Sequence, residues 1–323
     1  MRVPLPAAIT TTSTGNVMST SFGKSGPGVV ARDLQPGIIA RTITLPLLLL
    51  LTAALLSACG AARIAYNQAP TLTYWWLDGH VDLANGQSEP VRRDIDSFFA
   101  WHRSDALPAY VNLLQSWQSM AMDDLDADQV CRQFELIRGH IDTAAERTVA
   151  PLARLALSLG PDQIDHQRRH QAKSNQGFEK DFMQGNDEQR LRKRLTRTID
   201  RSERLYGRLS AEQRELVRDW LQRSPWDPGR TLAERQRRQS DLLQTVQEAQ
   251  ASPAQAQALV AEHIRRISRS PTPGYDAYSQ SMVRHGCAQF AALHNSTSPQ
   301  QRERALRTLK AYEEDLMALA GQS

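Results

Sequence analysis

Residues 190–213 read RLRKRLTRTIDRSERLYGRLSAEQ. Leu191, Leu195, Ile199, Leu205 and Leu209 recur at helical spacing, and no two-residue alternation competes with it. Arg190, Arg194, Arg197, Arg201, Arg204 and Arg208 step by four and three, so all six lie along one helix face. The stretch closes on Leu209-Ser210-Ala211-Glu212-Gln213, which starts a second helix. Ser210 suits the N-cap, Glu212 sits beside the positive dipole end, and Gln213 at N3 can reach back to the cap. The unit is therefore helix, short break, helix.

The same start signal recurs outward from there. Leu125-Asp126-Ala127-Asp128-Gln129 and Leu159-Gly160-Pro161-Asp162-Gln163 share its form, and Thr297-Ser298-Pro299-Gln300-Gln301 is a looser copy. Pro161 and Pro299 fall at the first helical position, where a missing N–H costs nothing. Past Cys59 no Val/Ile/Thr runs bounded by Gly turns are present, so strands are not expected. Helices are expected near 61–83, 90–103, 105–119, 127–149, 151–159, 162–184, 187–208, 211–223, 231–250, 253–269, 275–293 and 299–320. The fold class is all-α: a multi-helix bundle of antiparallel helices with short loops, preceded by a disordered leader and a signal segment. The expected division is 1–58 leader and signal peptide, 59–225 helical domain, and 226–323 C-terminal helices packing on the same body.

Of 323 residues, 41% are hydrophobic and 23% charged, a globular composition. The chain carries 39 Lys+Arg against 35 Asp+Glu. Arg2, Lys24, Arg32 and Arg41 against Asp33 place most of that excess before residue 59, leaving 35 against 34 for the remainder. Removal of the leader takes away the basic balance that a nucleic-acid partner would need.

Arg41 precedes the run Leu45-Pro46-Leu47-Leu48-Leu49-Leu50-Leu51-Thr52-Ala53-Ala54-Leu55-Leu56. That run is too short to cross about 30 Å of hydrocarbon, which takes about 20 helical residues. A basic residue, a short apolar run and small residues is the layout of a secretory signal. Leu56-Ser57-Ala58-Cys59-Gly60 resembles the bacterial lipobox. The resemblance implies cleavage before Cys59, acylation of its thiol and amine, and a membrane partner reached through that lipid. Gly60, where an Asp would retain the protein, resembles the outer-membrane sorting pattern. The expected location is the cell envelope, on the periplasmic side of the outer membrane. Met18 or a later codon offers another start.

Cys131 and Cys287 remain, in a compartment where disulfides persist. A bridge between them or two buried free thiols are both open. A bridge closing a loop of more than roughly 100 residues is worth about 4–5 kcal/mol in the chain-entropy model.

The arginine face has two readings: a solvated face with intramolecular pairs, or a strip contacting an anionic envelope component or a protein partner. Tyr74-Trp75-Trp76 either fills the core with Tyr66, Phe98, Phe99, Trp101 and Trp117, or rests at a headgroup layer. His166 and His170 have chelating spacing, but Arg168 and Arg169 lie between them and no third ligand is evident nearby, so no metal is expected. Asp78, Asp82, Asp94 and Asp96 read as solvated helical charge rather than a carboxylate pair. Gly23-Lys24-Ser25 lacks the first glycine of a phosphate loop. There is no His-Glu-x-x-His, no Gly-x-Ser-x-Gly and no dinucleotide fingerprint. We therefore expect no catalytic residue, no cofactor, and a binding or structural protein rather than an enzyme.

Two families bear a resemblance. Arg63-Ile64-Ala65-Tyr66-Asn67, Trp76-Leu77-Asp78, Val81-Asp82-Leu83, Trp101-His102-Arg103, Leu107-Pro108-Ala109-Tyr110, Arg190 to Arg194, Gly207-Arg208-Leu209, Gln213 and Trp220 together resemble an uncharacterised family of proteobacterial lipoproteins, a domain of unknown function. The resemblance implies an all-α body on a lipid anchor, with no assigned activity. The five-residue starts, Leu209–Gln213 above all, are similar to the Leu-Thr-x-x-Gln repeats of small periplasmic chaperones and envelope-stress proteins. That resemblance implies an alternative role as a chaperone or stress adaptor.

Overall fold

Helix starts organise this molecule. Asp126, Ser210 and Ser298 each accept a hydrogen bond from the backbone N–H of the Gln three residues on, and each Gln side chain accepts one back from the cap N–H. Asn186 and Gln189 make the same reciprocal box. At Ala84 and Gly160 the cap has no side-chain acceptor, and only the return bond from the cap N–H to Gln87 or Gln163 is made.

The computed structural model describes residues 62–321. The leader, its apolar run and Cys59 lie outside the described residues. Residues 62–67 are helical. The longer helices follow as α1 Ala69–Val81, α2 Asn85–Trp101, α3 Leu107–Met120, α4 Ala127–Arg147, α5 Val149–Ser158 and α6 Pro161–Phe182. The second half holds α7 Asp187–Tyr206, α8 Ala211–Gln222, α9 Pro228–Ala251, α10 Ala256–Ser268, α11 Tyr275–Asn295 and α12 Pro299–Ala320. A π-helical turn, His102–Ala106, joins α2 to α3 without a break. No strand occurs among the described residues, and none of their helices is long and apolar enough to cross a membrane.

Two glutamine pairs draw distant turns together. Gln213 Nε2 donates to Gln301 Oε1 at 2.8 Å and to the Ser296 carbonyl at 2.9 Å. Gln301 Nε2 donates to Gln213 Oε1 at 3.0 Å and to the Arg208 carbonyl at 3.1 Å. The α7–α8 and α11–α12 turns are clasped by that exchange. Gln87 and Gln163 repeat it, exchanging amide bonds at 3.1 and 2.8 Å and reaching the Ser158 and Asp82 carbonyls. Each amide uses both donors and both acceptor positions, the full capacity of a Gln side chain.

The apolar core follows the same grouping. Ile199, Tyr206, Leu209, Val217, Leu221, Leu293 and Ala305 join α7, α8, α11 and α12. Ala153, Ala156, Val246, Ala249, Ala256 and Val260 join α5, α9 and α10. Tyr74, Val91 and Leu155 tie α1 and α2 to α5, and Leu114, Ala121 and Leu309 tie α3 to α12. A disulfide between Cys131 of α4 and Cys287 of α11, with Cα atoms 5.4 Å apart, links residues 156 positions apart.

Candidate functional site

The segment just after Cys59 is fastened to the body by polar bonds. Tyr66 Oη lies 2.8 Å from His102 Nδ1, in the π-helical turn. Arg103 of the same turn donates to Asn67 Oδ1 at 3.1 Å. Arg63 Nε pairs with Asp315 of α12 at 2.8 Å. The rings of Phe98, Phe99 and Tyr110 surround His102. Burial holds the His102 imidazole below the ordinary histidine range, so it is neutral at pH 7. Burial also pushes the Tyr66 phenol up, against the opposing field of Arg103. The extra residue of a π turn re-aims side chains, and such turns are frequent at functional sites. Here it presents His102 and Arg103 to Tyr66 and Asn67. These bonds fasten residues 66 and 67 to the turn.

The aromatic run divides. Tyr74 is buried and donates to Ser88 Oγ at 3.0 Å. Trp75 and Trp76 are 60% and 61% exposed. With exposed Leu72 they stand at i, i+3 and i+4, one face of α1, and exposed Ile64 precedes them. Trp101 and Trp117 are partly buried, and Trp117 Nε1 donates to Gln133 Oε1.

The arginine face also divides. Arg190 bonds the Gly185 carbonyl and Asp187. Arg194 lies over the Trp226 ring at 4.8 Å, and burial lowers its pKa from the ordinary value. Arg197 pairs with Asp181 at 3.1 Å and lies over Phe182. Arg201, Arg204 and Arg208 are exposed and make no ion pair among the described residues. The aliphatic stem of Arg304 covers the adjoining turn: a Cβ on Gly207, which has φ +77°, would meet its Cδ at 2.8 Å. The C-terminal half of the strip is thus a group of uncommitted guanidiniums, with a further arginine beside it.

The structure brings His80 to His170, ring centres 4.0 Å apart, while His166 bonds the Gly79 carbonyl. Burial, then the charges of His80, His166 and Lys173, lower the His170 pKa. No group of three His, Cys, Asp or Glu among the described residues is arranged to hold a metal ion. Asp94 pairs with Arg154, and Asp78 accepts from the Leu83 N–H.

One buried acid escapes the sequence reading. Glu234, 3% exposed, accepts from Arg237, Arg238, Ser270 and Thr272. It ties α9 to the 269–274 turn. Burial opposes its ionisation, and the four donors more than offset that, holding its pKa at about 2.

Comparison with the curated proteins and with the solved structures returns no match. A family model matches residues 79–266, from the end of α1 into α10 and across the glutamine starts at 129, 163 and 213. The arginine face, the π-helical turn and Glu234 all fall inside that span, and the chain belongs to this family, a family of unknown function (DUF6279).

Proposed function

We propose that this is a lipid-anchored envelope protein on the periplasmic face of the outer membrane, with a helical body that binds rather than catalyses. The observation that carries the reading is the exposed Leu72, Trp75 and Trp76 face of α1. Tryptophan favours the headgroup layer, where its ring is half in hydrocarbon and its N–H stays wet. Chain geometry supports the same seating. Arg63, the first fastened residue, is four positions past Cys59. At about 3.5 Å per residue an acylated Cys59 keeps Arg63 within about 14 Å of the lipid, so the body rides on the bilayer surface.

Labelled palmitate should enter the full-length protein and be lost in Cys59→Ser. In vesicles carrying brominated phospholipid, tryptophan fluorescence should be quenched, and Trp75→Ala/Trp76→Ala should abolish most of the quenching. Absence of label removes the anchor; quenching that survives the double variant removes the seating.

The uncommitted arginines supply the contact for an anionic envelope component or an acidic protein. Reversal at Arg201→Glu/Arg204→Glu should cut crosslinked capture from native membranes about tenfold with an unchanged melting temperature. Arg197→Glu, which breaks the Asp181 pair, should instead lower stability by up to about 1 kcal/mol, the scale of an exposed ion pair. Equal loss of stability in both variants would make the face purely structural.

A further inference from the structure

A cavity of about 570 Å³ lies among α1, α2, α5, α6, α9 and α10. That volume is within the range of about 300–1,000 Å³ typical of small-molecule sites. Leu77, Ile95, Leu155, Val246, Val260 and Ile264 represent its walls, which are almost wholly apolar. Apolar walls of this kind favour hydrocarbon over water.

Its charged, imidazole and amide groups are mostly committed elsewhere. Asp94 is paired with Arg154, His263 with Asp241, and His80 with the Trp76 carbonyl. Two are not. Arg147 is exposed, lies over the Trp101 ring at 4.9 Å and makes no ion pair among the described residues. Gln167 Oε1 is buried and has no hydrogen-bond partner among the described residues. The lining side chains most exposed to solvent are Trp76, Leu152 and Arg147. Trp76 also belongs to the exposed α1 face, so the cavity lining is continuous with that face.

We propose that this cavity binds one long alkyl chain with an anionic head, the chain among the α2, α5 and α9 side chains and the head on Arg147. A flat aromatic ligand would need no cation at the rim, and a cationic amphiphile would be repelled by it. A free fatty acid and a single-chain phospholipid share the required chemistry. Only the supply of the chain from the bilayer rests on the membrane seating proposed above; the site itself does not.

The test uses full-length protein held in an amphipathic polymer free of alkyl detergent, titrated with the fluorescent fatty acid cis-parinaric acid. One saturable site is expected. Ala156→Phe, which fills the cavity from α5, should weaken binding at least tenfold. Arg147→Glu changes an exposed residue outside the core; it should weaken the fatty acid about tenfold and leave a long-chain alcohol unchanged. Displacement by oleate or by lysophosphatidic acid identifies the source of the head. Non-saturable binding, or affinity unmoved by both Ala156→Phe and Arg147→Glu, overturns the proposal. No bilayer is present in this titration, so its failure leaves the vesicle result standing, and the reverse holds too.

Discussion

Replacing Cys131 and Cys287 together by serine is expected to destabilise the protein by about 5 kcal/mol, the chain-entropy value for a loop of this length. The bridge spans 156 positions and joins α4 to α11, two helices packed against each other. Without it the unfolded chain regains the freedom of nearly half its length. Cys287 is 4% exposed, so serine there adds a buried hydroxyl and pushes the same way. Urea unfolding of wild type, double variant and reduced wild type is the measurement. The reduced wild type should lose most of that stability and the double variant somewhat more, and the wild type should titrate no free thiol at these positions. Two titratable thiols in the folded wild type would remove the bridge.

The second large effect is at Glu234. Glu234→Ala should cost about 3–5 kcal/mol, because Arg237 and Arg238 keep their charges in a half-buried site and lose the acceptor they share. The carboxyl has its pKa lowered from 4.5 to about 2, and each unit is worth about 1.4 kcal/mol. Its ionised form is therefore favoured by the fold. That contribution is fully present above about pH 4.5 and is lost as pH falls toward about 2, since the unfolded chain binds the proton first. The stability gap between wild type and Glu234→Gln should accordingly be widest at neutral pH and shrink through that window. A gap constant from pH 7 to pH 3 would mean that the carboxylate charge is not what holds the 269–274 turn.

Much of the helical order is legible because its signals are local. α4, α6, α8 and α12 begin at 127, 161, 211 and 299, where a capping residue is followed three positions later by Gln. The reading fails where the same device is disguised. α2 starts at Asn85 rather than near 90, because Ala84 offers no capping side chain and the only start signal is Gln87. Pro90, which looks like a first-turn residue, sits inside the helix. α9 starts at Pro228, with Asp227 accepting from the Gly229 and Arg230 N–H groups, and no Leu or Gln marks the place. The π turn at His102–Ala106 carries no pattern of its own.

The site is less legible, because its bonds cross the sequence. Helical spacing puts six arginines on one face, but it cannot show Arg194 turning to Trp226 or Arg197 to Asp181. It cannot therefore separate the committed half from Arg201, Arg204 and Arg208. Tyr66 meets His102 across 36 positions, and the Glu234 donors include residues 36 and 38 positions on. The chaperone-like pentapeptides are the reverse case. In sequence their glutamines read as partners of their own caps, yet Gln163, Gln213 and Gln301 also reach across to a second turn.

That last feature constrains how such a chain can drift. A glutamine in either clasp has a partner whose hydrogen bonds fail if it changes alone, leaving carbonyls and amides stranded near the core. Positions 87 and 163, and positions 213 and 301, are thus bound to substitute as couples, while the capping residues beside them, already as different as Ala84 and Ser298, are at liberty to wander one at a time.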